Sequence, residues 1–208
     1  PRTILSSVPY LIHPTAVHAP IGININLGGA INNLLYRLTN IAMQKTIIKT
    51  AGSKMQEYGL TKSDIKNALL DTDMIFTVSK YLFPEPKEYP THVKVVGYAE
   101  RNKRSLWQAD EVLQNFIAKN NKIVMLTFGS MRNGNAKETT QLFIKILGEL
   151  NIPTIINTLE GGLEKPDEYD QSLFHFTNDI PYDWIFPKLY GVIHHGGSGT
   201  THMAVKYA

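Results

Sequence analysis

Tyr190-Gly191-Val192-Ile193-His194-His195-Gly196-Gly197-Ser198-Gly199-Thr200-Thr201 is the stretch that decides the fold. A short apolar run with β-branched residues reads as a buried strand, and the imidazoles, glycines and hydroxyls at its end read as a turn made for an anion. Glycines let a ligand approach the backbone and bare its N–H groups. A helix beginning near Ser198 would add the positive end of its dipole. Charge-assisted hydrogen bonds contribute roughly 1.5–3 kcal/mol each, and a helix N-terminus about 0.3–1 kcal/mol. Three or four such contacts match the ~8 kcal/mol of micromolar binding expected for a nucleotide diphosphate. Taken alone the pattern is loose, and a Gly-rich turn with two structural histidines reads the same way.

Upstream, Ile123-Val124-Met125-Leu126-Thr127-Phe128 reads as a buried strand ending at Gly129-Ser130, followed by a turn through Asn133-Gly134. Asn135 with Glu138 three residues later has the form of a capping box. The following helix places Phe143, Ile146, Leu147 and Leu150 on one face. Pro153–Asn157 and Leu173–Phe176 read as two further strands. Strands alternating with helices at these intervals predict a parallel, doubly wound sheet, whose ligands bind at the carboxyl ends of the strands. Ser130 and His195 each follow such an end, so both can face one crevice.

In the first half, residues 4–12 read as a strand followed by a long irregular loop with Pro14, Pro20 and Gly28-Gly29. Ile31, Leu34, Leu35, Leu38 and Ile41 fall at helical spacing, extended by Ile48 and Met55, and predict a long amphipathic helix. Met74–Val78 and Val93–Val96 read as strands separated by a loop carrying Pro84, Pro86 and Pro90. The polar run Ala99-Glu100-Arg101-Asn102-Lys103-Arg104-Ser105 is the candidate linker between two domains.

The chain has 208 residues, enough to bury about 70% of the unfolded surface. Its 43% hydrophobic and 19% charged residues are ordinary for a globular protein. A net charge of +3 from 21 Lys and Arg against 18 Asp and Glu, without a long basic run, speaks against nucleic acid as partner. The absence of cysteine excludes disulfides and thiolate metal sites, leaving cytoplasm as the default compartment. No stretch has the uninterrupted apolar length of a membrane span.

Several chemistries fail on spacing. After Gly134 a P-loop requires Lys and then Ser or Thr, where this chain has Asn135-Ala136. The dinucleotide fingerprint requires Gly three residues after Gly199, where this chain has His202. His194 and His195 are adjacent on a strand and point to opposite faces, which argues against their converging on one metal ion with His202. His13 and His18 read as solvent-facing loop residues. Trp184, in the turn Asn178–Pro187, reads as a core anchor.

The run Ile180-Pro181-Tyr182-Asp183-Trp184-Ile185-Phe186-Pro187, followed by Val192-Ile193-His194-His195-Gly196-Gly197-Ser198-Gly199-Thr200-Thr201, closely resembles the donor-binding region of nucleotide-sugar glycosyltransferases of the GT-B fold. The likeness is nearest to the sterol 3-β-glucosyltransferase branch and the antibiotic glycosyltransferases. Phe128-Gly129-Ser130 and Val95-Val96-Gly97-Tyr98 are similar to the same family, so the motifs span residues 95–208.

That resemblance implies an α/β protein with two facing Rossmann-like, doubly wound domains, both incomplete. Residues 1–99 would be the C-terminal part of the acceptor-binding domain, and 100–208 the N-terminal part of the UDP-sugar-binding domain. Ser130 and the Gly197-Ser198-Gly199-Thr200 loop would contact the diphosphate, His195 would donate to a phosphate oxygen and stabilise the leaving UDP, and the Ile180 backbone would read the uracil edge. His194 would pack or orient. The implied reaction is inverting transfer of a hexose, usually glucose, to a hydroxyl of a lipid, sterol-like or other small hydrophobic acceptor, with no covalent intermediate, no metal and no cofactor besides the UDP-sugar substrate. The family's general base is typically a His in the first strand–helix loop of the N-terminal domain, and no residue here matches it. The sequence reads as starting midway through that domain and ending before the acidic-Gln pair that reads the sugar. Peripheral membrane contact stays open, as do two alternatives: another UDP-sugar enzyme such as an epimerase, and a nucleotide-binding fragment without turnover.

Overall fold

Val124–Thr127, the apolar run just before Gly129, is an inner strand of a four-stranded parallel sheet. The computed structural model describes residues 3–6, 13–20, 22–23, 25–64, 73–78, 85–99 and 106–207. The chain divides into two compact units, Pro1–Ala99 and Glu100–Ala208.

The first unit has a three-stranded parallel sheet in the order β1-β2-β3, formed by β1 (Thr3–Ser6), β2 (Met74–Val78) and β3 (Val93–Val96). Between β1 and β2 runs the helix α1 (Gly29–Glu57). Its start is tied to the preceding loop by Asn32, whose Nδ2 donates to Ala16 O at 2.9 Å and to Asn26 Oδ1 at 2.9 Å. The buried face carries Asn32, Tyr36 and Met55, while Ile31, Leu34, Leu38 and Ile41 are 44–53% exposed. The first turns of the stripe that suggested amphipathicity therefore face outward, because Asn32 and Tyr36 take the inner face there, while its far end at Met55 is buried.

In the second unit the elements are α2 (Glu111–Lys119), β4 (Val124–Thr127), α3 (Ala136–Glu149), β5 (Thr154–Asn157), β6 (Phe174–Thr177), the short α4 (Tyr182–Ile185), β7 (Gly191–His194) and α5 (Ser198–Lys206). The sheet order is β6-β5-β4-β7, all parallel. After β4 the chain winds outward to β5 and β6, then returns to the other side of β4 as β7. Between β4 and β7 the strand order reverses, which is where doubly wound sheets open a crevice.

Both faces of this sheet are covered. Leu126, Ile156 and Phe174 pack with Leu147 of α3 and Leu163, joined by Phe128, Phe143, Ile144, Phe176 and Ile193. On the other face α2 brings Phe116 against His175, ring centroids 5.6 Å apart. Asp110 starts α2 by accepting the Leu113 N–H at 2.8 Å, a feature that the sequence reading passed over. The capping box expected for α3 does not form: Asn135 makes no side-chain cap bond, and Asn133 accepts the Asn135 N–H at 3.0 Å and donates to Thr139 at 2.9 Å. The predicted face of α3 is buried only in part, through Leu147 and Phe143. Ile146 and Leu150 are exposed and Thr140 is buried, its hydroxyl donating to Ala136 O at 2.8 Å and accepting the Glu164 N–H at 2.9 Å. At its far end Asn151, at φ 52°, lets Ile152 N–H reach Leu147 O at 2.9 Å and closes the helix.

Candidate functional site

The crevice begins with a polar residue at the end of an apolar strand. Thr127 is fully buried, and its Oγ1 accepts the N–H of Gly129 at 3.1 Å, turning the chain as it leaves β4. Gly129 sits at φ 58°, a left-handed conformation costly for residues with a Cβ. The turn is supported from the β5 side. Asn133 N–H donates to Gly161 O at 3.3 Å, and a Cβ on Gly162 would stand 2.6 Å from Met131 O and 2.9 Å from Phe128 Cβ. This backing leaves Ser130, Met131 and Arg132 exposed at the tip.

The neighbouring strand ends level with it, since Thr127 of β4 is in register with His194 of β7. His194 is half-buried, and its Nδ1 accepts the Gly196 N–H at 3.1 Å, which in the neutral ring places the proton on Nε2. It orients the turn. His195 is exposed and lies over the other loop: a Cβ on Gly129 would stand 3.1 Å from His195 Cε1 and 3.6 Å from Thr200 Oγ1. Its ring also meets Phe128 edge-on at 6.5 Å. Gly196, at φ 84°, then turns the chain into α5. The first hydrogen bond within α5 runs from Thr201 N–H to Gly197 O at 2.9 Å, so the N–H groups of Ser198, Gly199 and Thr200 precede the helical ladder and point out of its N-terminus.

The turn at Gly129, the imidazole of His195 and the start of α5 thus meet where β4 and β7 end, with Ser130 exposed as the next residue. Neither the loop 129–135 nor the turn 195–199 contains an acidic residue. The arrangement suits an anion with several oxygens, bound by helix-terminal amides and a ring N–H. Thr200 is buried, so its share of such a contact would come from its amide rather than its hydroxyl.

Ile180 joins the same end through its neighbour. Tyr182 Oη lies 2.9 Å from Thr127 Oγ1, and the Tyr182 ring stacks on Phe186 at 4.7 Å and 17°. Ile180 itself is buried. Sequence reasoning missed Thr127 and Tyr182; the signal was a hydroxyl residue at the last, inward-facing position of an apolar strand. Trp184 is half-buried, packed at 4.9 Å on Trp107 and capped by Lys188 at 4.7 Å, in keeping with an anchor.

In the first unit, His13 and His18 are half-buried rather than solvent-facing. His13 packs edge-on against Tyr89 at 5.4 Å and His92 at 5.9 Å, and burial lowers its pKa from the ordinary value. Among the described residues no three His, Asp or Glu side chains stand together as metal ligands. Among the described residues, also, no helix is long and apolar enough to cross a membrane.

No family model matches the chain. Among curated proteins it is similar to the sterol 3-β-glucosyltransferase of the yeast Vanderwaltozyma polyspora, with 29% identity over 91% of this chain and 17% of that protein. It is similar to that of Saccharomyces cerevisiae, with 29% identity over 91% of the chain and 17% of the relative. One from Arabidopsis thaliana is 33% identical over 62% of the chain and 21% of the relative. The chain therefore spans about a fifth or less of the length of these relatives. Among solved structures, the glycosyltransferase of kitacinnamycin matches 81% of the chain and 45% of its own, with a TM-score of 0.50 and 11% identity. The fold is that of part of a GT-B glycosyltransferase, and the resemblance drawn from the motifs is borne out.

Proposed function

We propose that the second unit is the donor-nucleotide half of a UDP-glycosyltransferase that transfers glucose to the hydroxyl of a sterol. The observation that carries this reading is the meeting of Gly129-Ser130 with His195 and the α5 N-terminus at the strand-order reversal. The names of the relatives supply the sugar and the acceptor class. An epimerase is not favoured, since these relatives are all named as glucosyltransferases.

In this mechanism the amides of Ser198, Gly199 and Thr200 and the Ser130 hydroxyl hold the diphosphate, while the Ile180 backbone meets the uracil. The bond between the sugar C1 and the diphosphate oxygen breaks as the acceptor oxygen bonds C1 from the opposite face. Charge grows on the departing oxygen, and the His195 N–H stabilises it. The UDP-sugar is substrate, and the scheme draws on no separate cofactor. The acceptor proton passes to a base outside the residues named here.

Thermal shifts of the chain with UDP, ATP and inorganic phosphate in parallel test the donor half, because ligand at a hundred times Kd adds ~2.7 kcal/mol of stability. Stabilisation by UDP in preference to ATP and phosphate is expected. Equal stabilisation by ATP, or none by UDP in a folded sample, refutes it.

Contact with an anionic membrane surface accompanies this reading and is supported by α1. Its exposed Ile31, Leu34, Leu38 and Ile41 lie on a helix carrying Arg37, Lys45, Lys49 and Lys54, with no acidic residue before Glu57. Exposed apolar side chains flanked by basic ones suit an interface whose lipid headgroups are anionic. Flotation with phosphatidylserine-containing vesicles is expected to carry the chain, and Leu34→Gln with Leu38→Gln to abolish it. Equal flotation of parent and variant refutes the contact.

A further inference from the structure

We infer that the hydrogen bond between Tyr182 and Thr127 sets the spacing of two subsites, so that Tyr182 is a positioning residue for any ligand spanning both; the inference rests on the nucleotide reading above. Thr127 is the hub. Its Oγ1 accepts the Gly129 N–H at 3.1 Å, fixing the turn that presents Ser130, and shares a proton with Tyr182 Oη at 2.9 Å. Tyr182 opens α4 two residues after Ile180, whose backbone is the uracil contact of the proposed function. One fully buried oxygen thus joins the loop that holds the diphosphate to the segment that holds the base.

The register makes this link consequential. Thr127 pairs with His194, so the level of the β4 turn also sets the level of His195 and the α5 N-terminus. The β6–α4 segment reaches this end by a separate connection, after β6 at the far edge of the sheet. Tyr182 Oη–Thr127 Oγ1 is a polar tie between that segment and β4. A ligand touching only one subsite gains nothing from the tie. One that touches both gains, because the distance between its contacts is preset rather than fixed at its own expense.

Tyr182→Phe isolates this effect. It removes a single oxygen and keeps the ring that stacks on Phe186. Uridine, pyrophosphate and UDP would be titrated by NMR against the parent chain and the Tyr182→Phe and Thr127→Ser variants, with circular dichroism checking the fold. The expected result is UDP binding weakened roughly five- to tenfold in Tyr182→Phe, the order of one lost neutral hydrogen bond, while uridine and pyrophosphate affinities stay unchanged. Thr127→Ser keeps the hydroxyl and is expected to bind UDP like the parent. Parent-like UDP binding by Tyr182→Phe overturns the inference, and so does a loss of equal proportion for all three ligands, which marks a merely structural tie. Failure of the parent itself to bind UDP is distinguishable from both, and overturns the nucleotide reading together with the inference.

Discussion

Gly197→Ala separates the site's geometry from its stability. Gly197 lies at φ −59° and ψ 140°, ordinary extended backbone that alanine adopts freely, so the folded chain carries no conformational penalty. An added Cβ would nevertheless collide with the His195 ring, meeting Nε2 first and standing 2.7 Å from Cε1. Carbon–carbon contacts are optimal near 3.5–4.0 Å, so the pair must open by about 1 Å. The backbone on both sides is held by the Gly196–His194 bond and by the first turn of α5. The exposed imidazole is the part that yields. A displacement of about 1 Å takes its N–H out of hydrogen-bond range of a phosphate oxygen. The loss is one charge-assisted bond, roughly 1.5–3 kcal/mol, or about 10- to 150-fold in the UDP dissociation constant. Calorimetric titration with UDP measures the affinity, and a thermal melt without ligand measures the stability. The expected pairing is weakened UDP binding with the melting temperature held. Unchanged UDP affinity in a folded Gly197→Ala chain would show that the ring at 195 does not touch the ligand. A large fall in stability would show that the backbone, not the ring, absorbs the collision.

His195→Ala should weaken UDP by the same roughly 1.5–3 kcal/mol, and adding Gly197→Ala to it should cost nothing more, since both act through one ring; additive losses would refute that. His195→Ala should also weaken UDP more than UDP-glucose, and an equal loss for both would count against a role on the leaving group. Gly129→Ala, by contrast, should destabilise the second unit, because it places a Cβ at φ 58°. The left-handed conformation costs roughly 1–2 kcal/mol, a fall in Tm on the order of 5–10 °C for a domain of this size; an unshifted melt would refute the assigned backbone. Burial against Phe116 holds the His175 pKa below its unfolded value of 6.5, opposed in part by Asp110, with Lys165 lowering it further. The unfolded chain then binds more protons below about pH 6.5, so stability should fall as pH drops from that value through the lower folded pKa. His175→Gln should lessen the difference between melts at about pH 7.5 and 5.5, and an undiminished difference would assign it to other groups.

The strands were nearly all legible because burial on both faces of a parallel sheet writes itself as short β-branched runs. Met74–Val78, Val93–Val96 and Gly191–His194 could be read directly, the last from the run Tyr190–Ile193. Helix faces were harder to read, for one reason repeated twice. Thr140 is buried because its hydroxyl is satisfied on both sides, and Asn32 because its Nδ2 donates to both Ala16 and Asn26. Hydropathy treats such residues as outward-facing, so periodicity placed Ile146, Leu150 and the Leu34–Leu38 stripe inward instead. The apparent capping box at Asn135 failed similarly: Asn133 supplies the local bonds, and nothing in the spacing ranks one asparagine above the other. In the candidate site, glycines and imidazoles announced themselves through their rarity in strands. Thr127 and Tyr182 did not, because their partnership spans 55 residues and exists only once the sheet is wound.

The chemistry of the two loops narrows what this end of the sheet can contribute to a reaction. The loop 129–135 carries an arginine, a serine and two asparagines, and the turn 195–199 an imidazole, a serine and glycines. None of these is a carboxylate that would attack a sugar carbon or take a proton from an acceptor. All are donors, or expose backbone donors, and donors act on the partner that gains negative charge. In a transfer from a UDP-sugar that partner is the leaving group, since free UDP carries about one more negative charge than UDP bonded to a sugar, by the second phosphate ionisation near pH 6. Fixed N–H groups at a helix terminus and a ring held above Gly129 need no rearrangement to meet that charge as it appears, which is the condition under which such donors lower a barrier rather than merely bind. Under the proposed reading, the second unit thus serves departure of the nucleotide, and activation of the acceptor falls to groups outside these two loops.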